Sequence, residues 1–137
     1  METQFGASSQ TITEDETRDR DDRGKLRRDV SRAMGSLLKD YIGRGPTYAH
    51  AYIHEDLLVV VLRRTMTKPE RTLADEGEEG LVRRARQQVL QGKFREDANG
   101  IVERLTGQHV SAFLSDHDVN EDVVIQTFVL EPPSLAA

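Results

Sequence analysis

Leu57-Leu58-Val59-Val60-Val61-Leu62 is the longest uninterrupted apolar run in this 137-residue chain. Successive side chains of a strand point to opposite faces, so a strand that is apolar at every position is predicted to be central and covered on both sides. A sheet with one helical face and one dimer face would do this. So would a strand lying beneath a neighbouring loop. Just upstream, Tyr48, Ala49, His50, Ala51, Tyr52 and Ile53 alternate weakly, and Glu55-Asp56 makes a tight connection. The pair reads as a hairpin.

Before the hairpin, residues 23–42 read as a helix. Leu26, Val30, Ala33, Met34, Leu37 and Tyr41 recur at steps of three and four and form one apolar stripe. Gly43-Arg44-Gly45-Pro46 ends it: Gly43 suits a left-handed C-cap, and Pro46 cannot continue a helix. After the hairpin, Thr67-Lys68-Pro69-Glu70 matches a capping box and starts a short connector helix carrying Leu73. Gly77 and Gly80 bracket a break. A long helix is predicted from Leu81 to Leu105, with Leu81, Ala85 and Val89 in one phase and Phe94, Ala98, Ile101 and Leu105 in another. The slip between them predicts a bend near Gly92. Gly100 sits in the interior, where it costs about 1 kcal/mol relative to Ala, and implies close packing or a second weak joint.

Thr106-Gly107 ends that helix. A second strand pair follows, His109–Asp116 and Asp122–Leu130, linked by a turn at 117–121. Val110, Ala112 and Leu114 are expected on one face of the first strand. Val124, Phe128 and Leu130 are expected opposite Val123, Ile125, Thr127 and Val129 on the second. The order α-β-β-α-α-β-β gives an α+β two-layer sandwich: an antiparallel sheet of about four strands, two long helices and one short connector. It consists of two helix-plus-hairpin units without a residue-level repeat.

The charge is unevenly placed. Residues 1–22 hold seven acids and two bases and account for the whole net charge of −5. The other 115 residues balance at 17 acids and 17 bases. The expected organisation is therefore a disordered acidic tail at 1–22, one α+β domain at 23–131 and a loose C-terminal tail at 132–137. The tail reads as a tether for a basic partner or, more simply, as a solubilising segment. The absence of Cys excludes a disulfide scaffold, a thiolate zinc site and a cysteine nucleophile. No apolar run approaches the ~18 residues of a membrane span, so no membrane insertion is expected. The neutral body, the acidic tail and an aromatic content of 5% without Trp argue against nucleic-acid binding.

No constellation amounts to an enzyme signature. His50 and His54 lie four apart on a strand, ~13 Å from each other, too far to share an ion. Asp116-His117-Asp118 concentrates ligand-type groups, but a polar turn whose aspartates bond local amides explains it better. Ser111 and Ser115 near His109 and His117 lack a nucleophile elbow. Glu78-Glu79 reads as a solvated loop. Gly43-Arg44-Gly45-Pro46 would present amides and a guanidinium to an anion, yet it lacks a phosphate-loop fingerprint, and a plain turn suffices. Arg63-Arg64 and Arg83-Arg84 with Arg86 form basic clusters that either read anions or pair internally with the nearby Asp75, Glu76, Glu78 and Glu79. No catalytic residue, metal site or cofactor is assigned.

Taken in order, the elements are Tyr41-Ile42-Gly43-Arg44-Gly45-Pro46, Leu58–Leu62, Met66-Thr67-Lys68-Pro69-Glu70-Arg71-Thr72-Leu73, Val82-Arg83-Arg84-Ala85-Arg86, Ile101–Gly107 and Phe113-Leu114-Ser115-Asp116 with Phe128-Val129-Leu130. Over residues 25–131 this resembles the MpsC-like bacterial domain family. The family usually has Leu where this chain has Met66, a volume-conserving swap. The resemblance implies association with a sodium-translocating, membrane-potential-generating system linked to bicarbonate uptake. It brings no catalytic residue. Its motif positions here are Gly43, Gly45, Pro46, Thr67, Glu70, Arg86, Gly107 and Asp116. Turns, a cap and a buried ion pair account for most of these, and Arg86 and Asp116 are the best candidates for ligand or partner contact.

The expectation is a cytoplasmic, non-enzymatic accessory or regulatory domain, peripheral at the inner face of the membrane. It is expected to be a homodimer that contacts a membrane transport complex, with Arg44, Gly45, Arg83, Arg86 and Asp116 as ligand or partner residues. The alternative is a sensor of small anions or nucleotides built on Arg44, Arg83, Arg84 or Arg86.

Overall fold

Thr13 caps the first helix, its hydroxyl accepting from the Glu16 amide at 3.1 Å. The computed structural model describes residues 13–132 and sets this helix, α1, at Glu14–Ile42. It therefore starts well before position 23, and residues 14–22 of the expected tail are helical. Apolar periodicity could not reveal them, because the buried residues of α1 begin at Val30. Local terms hold that segment: the cap, the acidic first turn Glu14-Asp15-Glu16, and an Asp19–Arg23 pair at 2.9 Å. The expectations for residues 1–12 and 133–137 lie outside the described residues.

The chain continues as β1 (Tyr48–His54), β2 (Leu57–Arg63), α2 (Lys68–Asp75), α3 (Glu79–Leu90), α4 (Lys93–Thr106), β3 (Val110–Asp118) and β4 (Val123–Leu130). The long helix expected from Leu81 to Leu105 is thus two helices. Gly92, at φ −95° and ψ −128°, leaves the helical region and breaks it. Each half then buries its own stripe, Val82, Arg86 and Leu90 on α3, and Phe94, Ala98 and Val102 on α4. Leu81 and Val89, expected to be inside, are exposed. Gly100 neither packs closely nor bends α4, since a Cβ there would meet open space; nothing in the structure explains this glycine.

The four strands form one antiparallel sheet in the order β1-β2-β4-β3. Each hairpin contributes its second strand to the centre, so β2 pairs with β4, Val61 opposite Ile125. Helices α1 and α4 cover one face. Their side chains Val30, Met34, Leu38, Phe94, Ala98 and Val102 meet Leu58, Val60, Leu62, Val124 and Phe128 from the sheet in one core. The Phe113 and Phe128 rings lie 4.9 Å apart at its centre. Burying side chains of this size contributes about 1.5–3 kcal/mol each. A smaller cluster of Met66, Val82 and Val119 seats α2 and α3 at one end.

Only one face of the run Leu57–Leu62 is covered: Leu58, Val60 and Leu62 are fully buried beneath the helices, whereas among the described residues no loop lies over Leu57, Val59 and Val61, which face outward. On β3 the face assignment also changes. The register shifts between Val110 and Ala112, an irregularity that turns the following residues over. Phe113 and His117 consequently point inward with Val110, while Leu114 is 61% exposed.

Both helix-to-hairpin joints use a left-handed glycine. Gly43 (φ 91°) bonds the Lys39 carbonyl at 2.7 Å, and Gly107 (φ 72°) bonds the Glu103 carbonyl at 2.8 Å. Nothing lies within 4 Å of a Cβ at either site, so a side chain there is penalised by the backbone alone. Gly107→Ala is expected to cost about 1–2 kcal/mol in urea unfolding with an unchanged m value, and Gly107→Asn distinctly less.

Candidate functional site

The segment after β2 is unusual in being buried and polar. Thr65 and Met66 are inaccessible, and Arg64 before them takes a positive φ of 59° that turns the chain under α3. Three elements meet there. From α3, Arg86, only 1% exposed, gives Nε to Glu70 Oε2 at 2.6 Å and Nη2 to Glu70 Oε1 at 2.8 Å. The same guanidinium reaches Thr65 Oγ1 at 3.1 Å and the Thr65 carbonyl at 3.0 Å. From the start of α2, Glu70 accepts from the Thr67 amide at 2.9 Å, completing the capping box. From the β3–β4 turn, Asp122 accepts from Thr65 Oγ1 at 3.1 Å, the Met66 amide at 3.0 Å and Arg71 at 3.4 Å. His117 Nε2 lies 3.0 Å from Asp122 Oδ1. An ionised carboxylate can only accept, which fixes the proton on Nε2. The sheet edge completes the clamp on this segment, where Arg44 donates to the Met66 carbonyl at 2.7 Å.

Burial pushes the Glu70 carboxyl up, but the bonds from Arg86 and Thr67 outweigh it and hold the group below its ordinary value. Asp122 behaves alike: burial raises it, and the Met66 amide, His117 and Thr65 together bring it down. Burial drives His117 below its ordinary 6.5, with Asp122 opposing and Arg86 adding to the drop. Each charge in the cluster is thus directed at another group of the same cluster. Ser115 Oγ, His117 Nδ1 and both amide atoms of Gln126 are buried beside it without a protein partner.

A second feature lies outside. Arg83 grips Asp116 with two bonds, Nε at 3.0 Å and Nη2 at 2.9 Å. The Arg83 bonds hold Asp116 below the ordinary carboxylate value, and Asp116 in turn raises Arg83. The pair lines an open concavity of about 750 Å³ with Glu79, Asp118, Glu121 and Val123. Asp116 accepts from the His117 amide and Asp118 from the Glu121 amide, as the polar-turn reading expects.

The concavity opens onto the bare face of the sheet. Register sets its rows: Tyr52-Val59-Thr127-Leu114, and beside it His50-Val61-Ile125-Asp116. His50 sits between two tyrosines, 4.5 Å from the ring of Tyr52 and 6.1 Å from that of Tyr48. Five of the seven large apolar residues exposed among those described lie on this face: Tyr48, Tyr52, Leu57, Leu114 and Ile125. No group of three or more His, Asp or Glu residues that could hold a metal occurs among the described residues.

A family model described as the Na+-translocating membrane potential-generating system (MpsC) matches residues 22–132. The chain belongs to this family. The match covers both hairpins, the buried clamp and the bare face, so these are features of an MpsC domain rather than of an appendage to it. The MpsC description associates such chains with sodium-translocating systems that generate a membrane potential. Among the described residues no helix is long and apolar enough to cross a membrane. No curated protein and no solved structure matches the chain.

Of the residues singled out from sequence, the fold brings Arg44, Thr67, Glu70 and Arg86 to the buried segment of this MpsC domain, and Arg83 and Asp116 to each other. Of the basic clusters, Arg83 and Arg86 pair internally, with Asp116 and Glu70 rather than with the acids at 75–79, while Arg63, Arg64 and Arg84 form no ion pair among the described residues. Gly43 is the cap, and Pro46 packs against Gly35 of α1, within 3.5 Å of where a Cβ would stand. Gly45 lies over the Lys39 side chain and joins neither site. Sequence reading missed Thr65, His117 and Asp122 as partners. Only the positive φ of Asp122 (52°) and its place at a hairpin end are distinctive, and neither is visible in composition.

Proposed function

We propose that this chain is a non-enzymatic accessory or regulatory domain that acts through protein contacts, and that a second copy docks on the bare face of its sheet. The observation that carries this reading is the pair of adjacent rows that leave Tyr52, Leu114 and Ile125 in solvent, at 50%, 61% and 44% exposure. Single exposed apolar residues are ordinary, whereas a contiguous apolar face marks an interaction surface. The β1 side of the face carries His50, with Arg63 next to it on β2, and the β3 side carries Asp118 and the Asp116 that Arg83 holds. A two-fold axis along the strands lays each basic side over the acidic side of the other copy. This complementarity favours a second copy over an unrelated occupant.

In this reading the larger partner is a membrane-embedded subunit of a sodium-linked transport system, with bicarbonate uptake as the transport task, and the domain sits in the cytoplasm at the inner membrane face. Family membership supports the sodium-translocating association. The rival sensor built on Arg44, Arg83, Arg84 and Arg86 has less support, because Arg44, Arg83 and Arg86 are bonded to protein acceptors.

Sedimentation equilibrium of the full chain is expected to give twice the single-chain mass at micromolar concentration. Ile125→Asp with Leu114→Glu should return it to one chain mass with the circular dichroism spectrum of the folded chain unchanged, and should remove the concentration dependence of its melting temperature. A wild-type chain that stays monomeric throughout overturns the dimer. Cross-linking from solubilised host membranes tests the larger partner: enrichment of an integral transporter subunit over a tag-only control supports it, and recovery of this chain alone counts against it.

A further inference from the structure

Away from both features, α1 carries three arginines that outnumber the carboxylates near them: Asp29 feels the charge of Arg28 and Arg32 but bonds Lys25. Asp19 is taken by Arg23 and Asp29 by Lys25, at 2.9 and 2.8 Å. Arg27, Arg28 and Arg32 form no ion pair among the described residues. The helical ridge Gly24-Arg28-Arg32 contains no acid at all. Instead of spreading apart, two of these like charges converge. A Cβ on Gly24 would stand 3.3 Å from Arg28 Nη1 and 3.9 Å from Arg27 Nη2. Glycine is the poorest helix former after proline, and here both guanidinium groups lie beside the position of its missing side chain, Arg28 the closer. Together with Arg32, Ala49 and His50 they line a groove of about 420 Å³ between α1 and β1. β1 is an edge strand with β2 as its one neighbour, so main-chain donors along its free side are also unpaired.

We propose that this groove binds a phosphate group, either the headgroup of an anionic lipid or a soluble phosphate compound. Three guanidinium groups suit a multiply charged, tetrahedral oxyanion. A carboxylate has one charge and two oxygens, and would leave two of the forks unanswered. The groove is open along its length, so it takes the terminal phosphate of a larger molecule as readily as the free ion. The site rests on α1 and borders the sheet face only at His50, so it stands if the dimer reading fails.

The test uses the full chain. Calorimetry with inorganic pyrophosphate measures the soluble source. Co-sedimentation with vesicles of phosphatidylcholine, with or without added phosphatidic acid, whose headgroup is a terminal phosphate, measures the headgroup source. Saturable binding in either arm is expected to weaken about tenfold or more in Arg28→Glu. It should survive in Arg95→Glu, which makes the same charge change on α4. Circular dichroism verifies that both variants fold. Binding by pyrophosphate alone assigns a soluble ligand, and binding by phosphatidic acid vesicles alone assigns a lipid. Absence of binding in both arms overturns the proposal. So does equal loss in Arg28→Glu and Arg95→Glu, or capture of an acidic peptide with no binding of phosphate.

Discussion

Arg86→Met is expected to remove about 3–5 kcal/mol of stability, read as a fall in the urea midpoint at constant m. Methionine keeps most of the buried stem, so the loss is not a cavity effect. What remains is a Glu70 carboxylate four-fifths buried and a Thr65 carbonyl and hydroxyl that have lost their donors. Arg86→Lys should recover only part, because one ammonium cannot reach both Glu70 oxygens and Thr65 together. Arg86→Met combined with Glu70→Gln should recover more, since the stranded charge is gone, and the cycle should give a coupling of several kcal/mol. The experiment also separates two roles for Arg86. A ligand residue would cost binding and leave stability alone, whereas the clamp predicts the reverse. A loss under about 1 kcal/mol would mean that water enters the pair in solution and would sink the clamp.

The element order was legible because each element carries a local signal. The stripe from Leu26 to Tyr41, the two glycine stops and the Thr67-x-x-Glu70 box appear as expected. Strand order was not legible, since either hairpin could present either strand to the other, and only tertiary packing chooses β2 against β4. Pattern reading failed where something other than an apolar period set the buried face. The buried stripe of α3, Val82, Arg86 and Leu90, has an arginine at its centre, so the neighbouring stripe looked more apolar, and the irregularity after Val110 turns Leu114 outward. Helix α1 before Arg23 was invisible for a different reason, because it buries nothing and capping and ion pairs leave no hydrophobic period.

The site was half legible on the same principle. Thr67 and Glu70 announce themselves by spacing, because the capping box is a local structure. Arg86 and Asp116 were picked out, but as one pair of candidates for one role. The structure separates them, one to a buried clamp and the other to a surface bridge with Arg83. His117 and Asp122 were unreadable as partners, since their contact depends on β3 running on to Asp118 and on a hairpin end that turns Asp122 inward. The bare sheet face was anticipated by the run Leu57–Leu62, where an apolar residue at every position signalled a second face needing cover.

Stability is expected to fall steadily as pH drops below 6.5, the ordinary histidine value, and to steepen in the carboxylate range. His117 is held below 6.5 in the fold, first by burial, while the unfolded chain takes up a proton there normally. Its contribution is complete above 6.5 and is lost as pH falls through the lower folded value, at about 1.4 kcal/mol per pH unit between the two. Glu70 and Asp122 add to the same trend further down. Both are lowered in the fold from 4.5 and 3.8, so their contributions are present above those values and disappear as pH falls through the folded ones. The three limbs therefore share one sign and cannot cancel. His117→Gln should flatten the profile between 6.5 and the carboxylate range while leaving the acid limb. Asp122→Asn should cost about 1.5–3 kcal/mol at neutral pH, because the Met66 amide, Thr65 and His117 lose a charged acceptor, and should make the acid limb shallower. A wild-type profile that stays level from neutral pH to 4.5 would show that His117 is not held buried and neutral, and would separate it from the Asp122 end of the clamp.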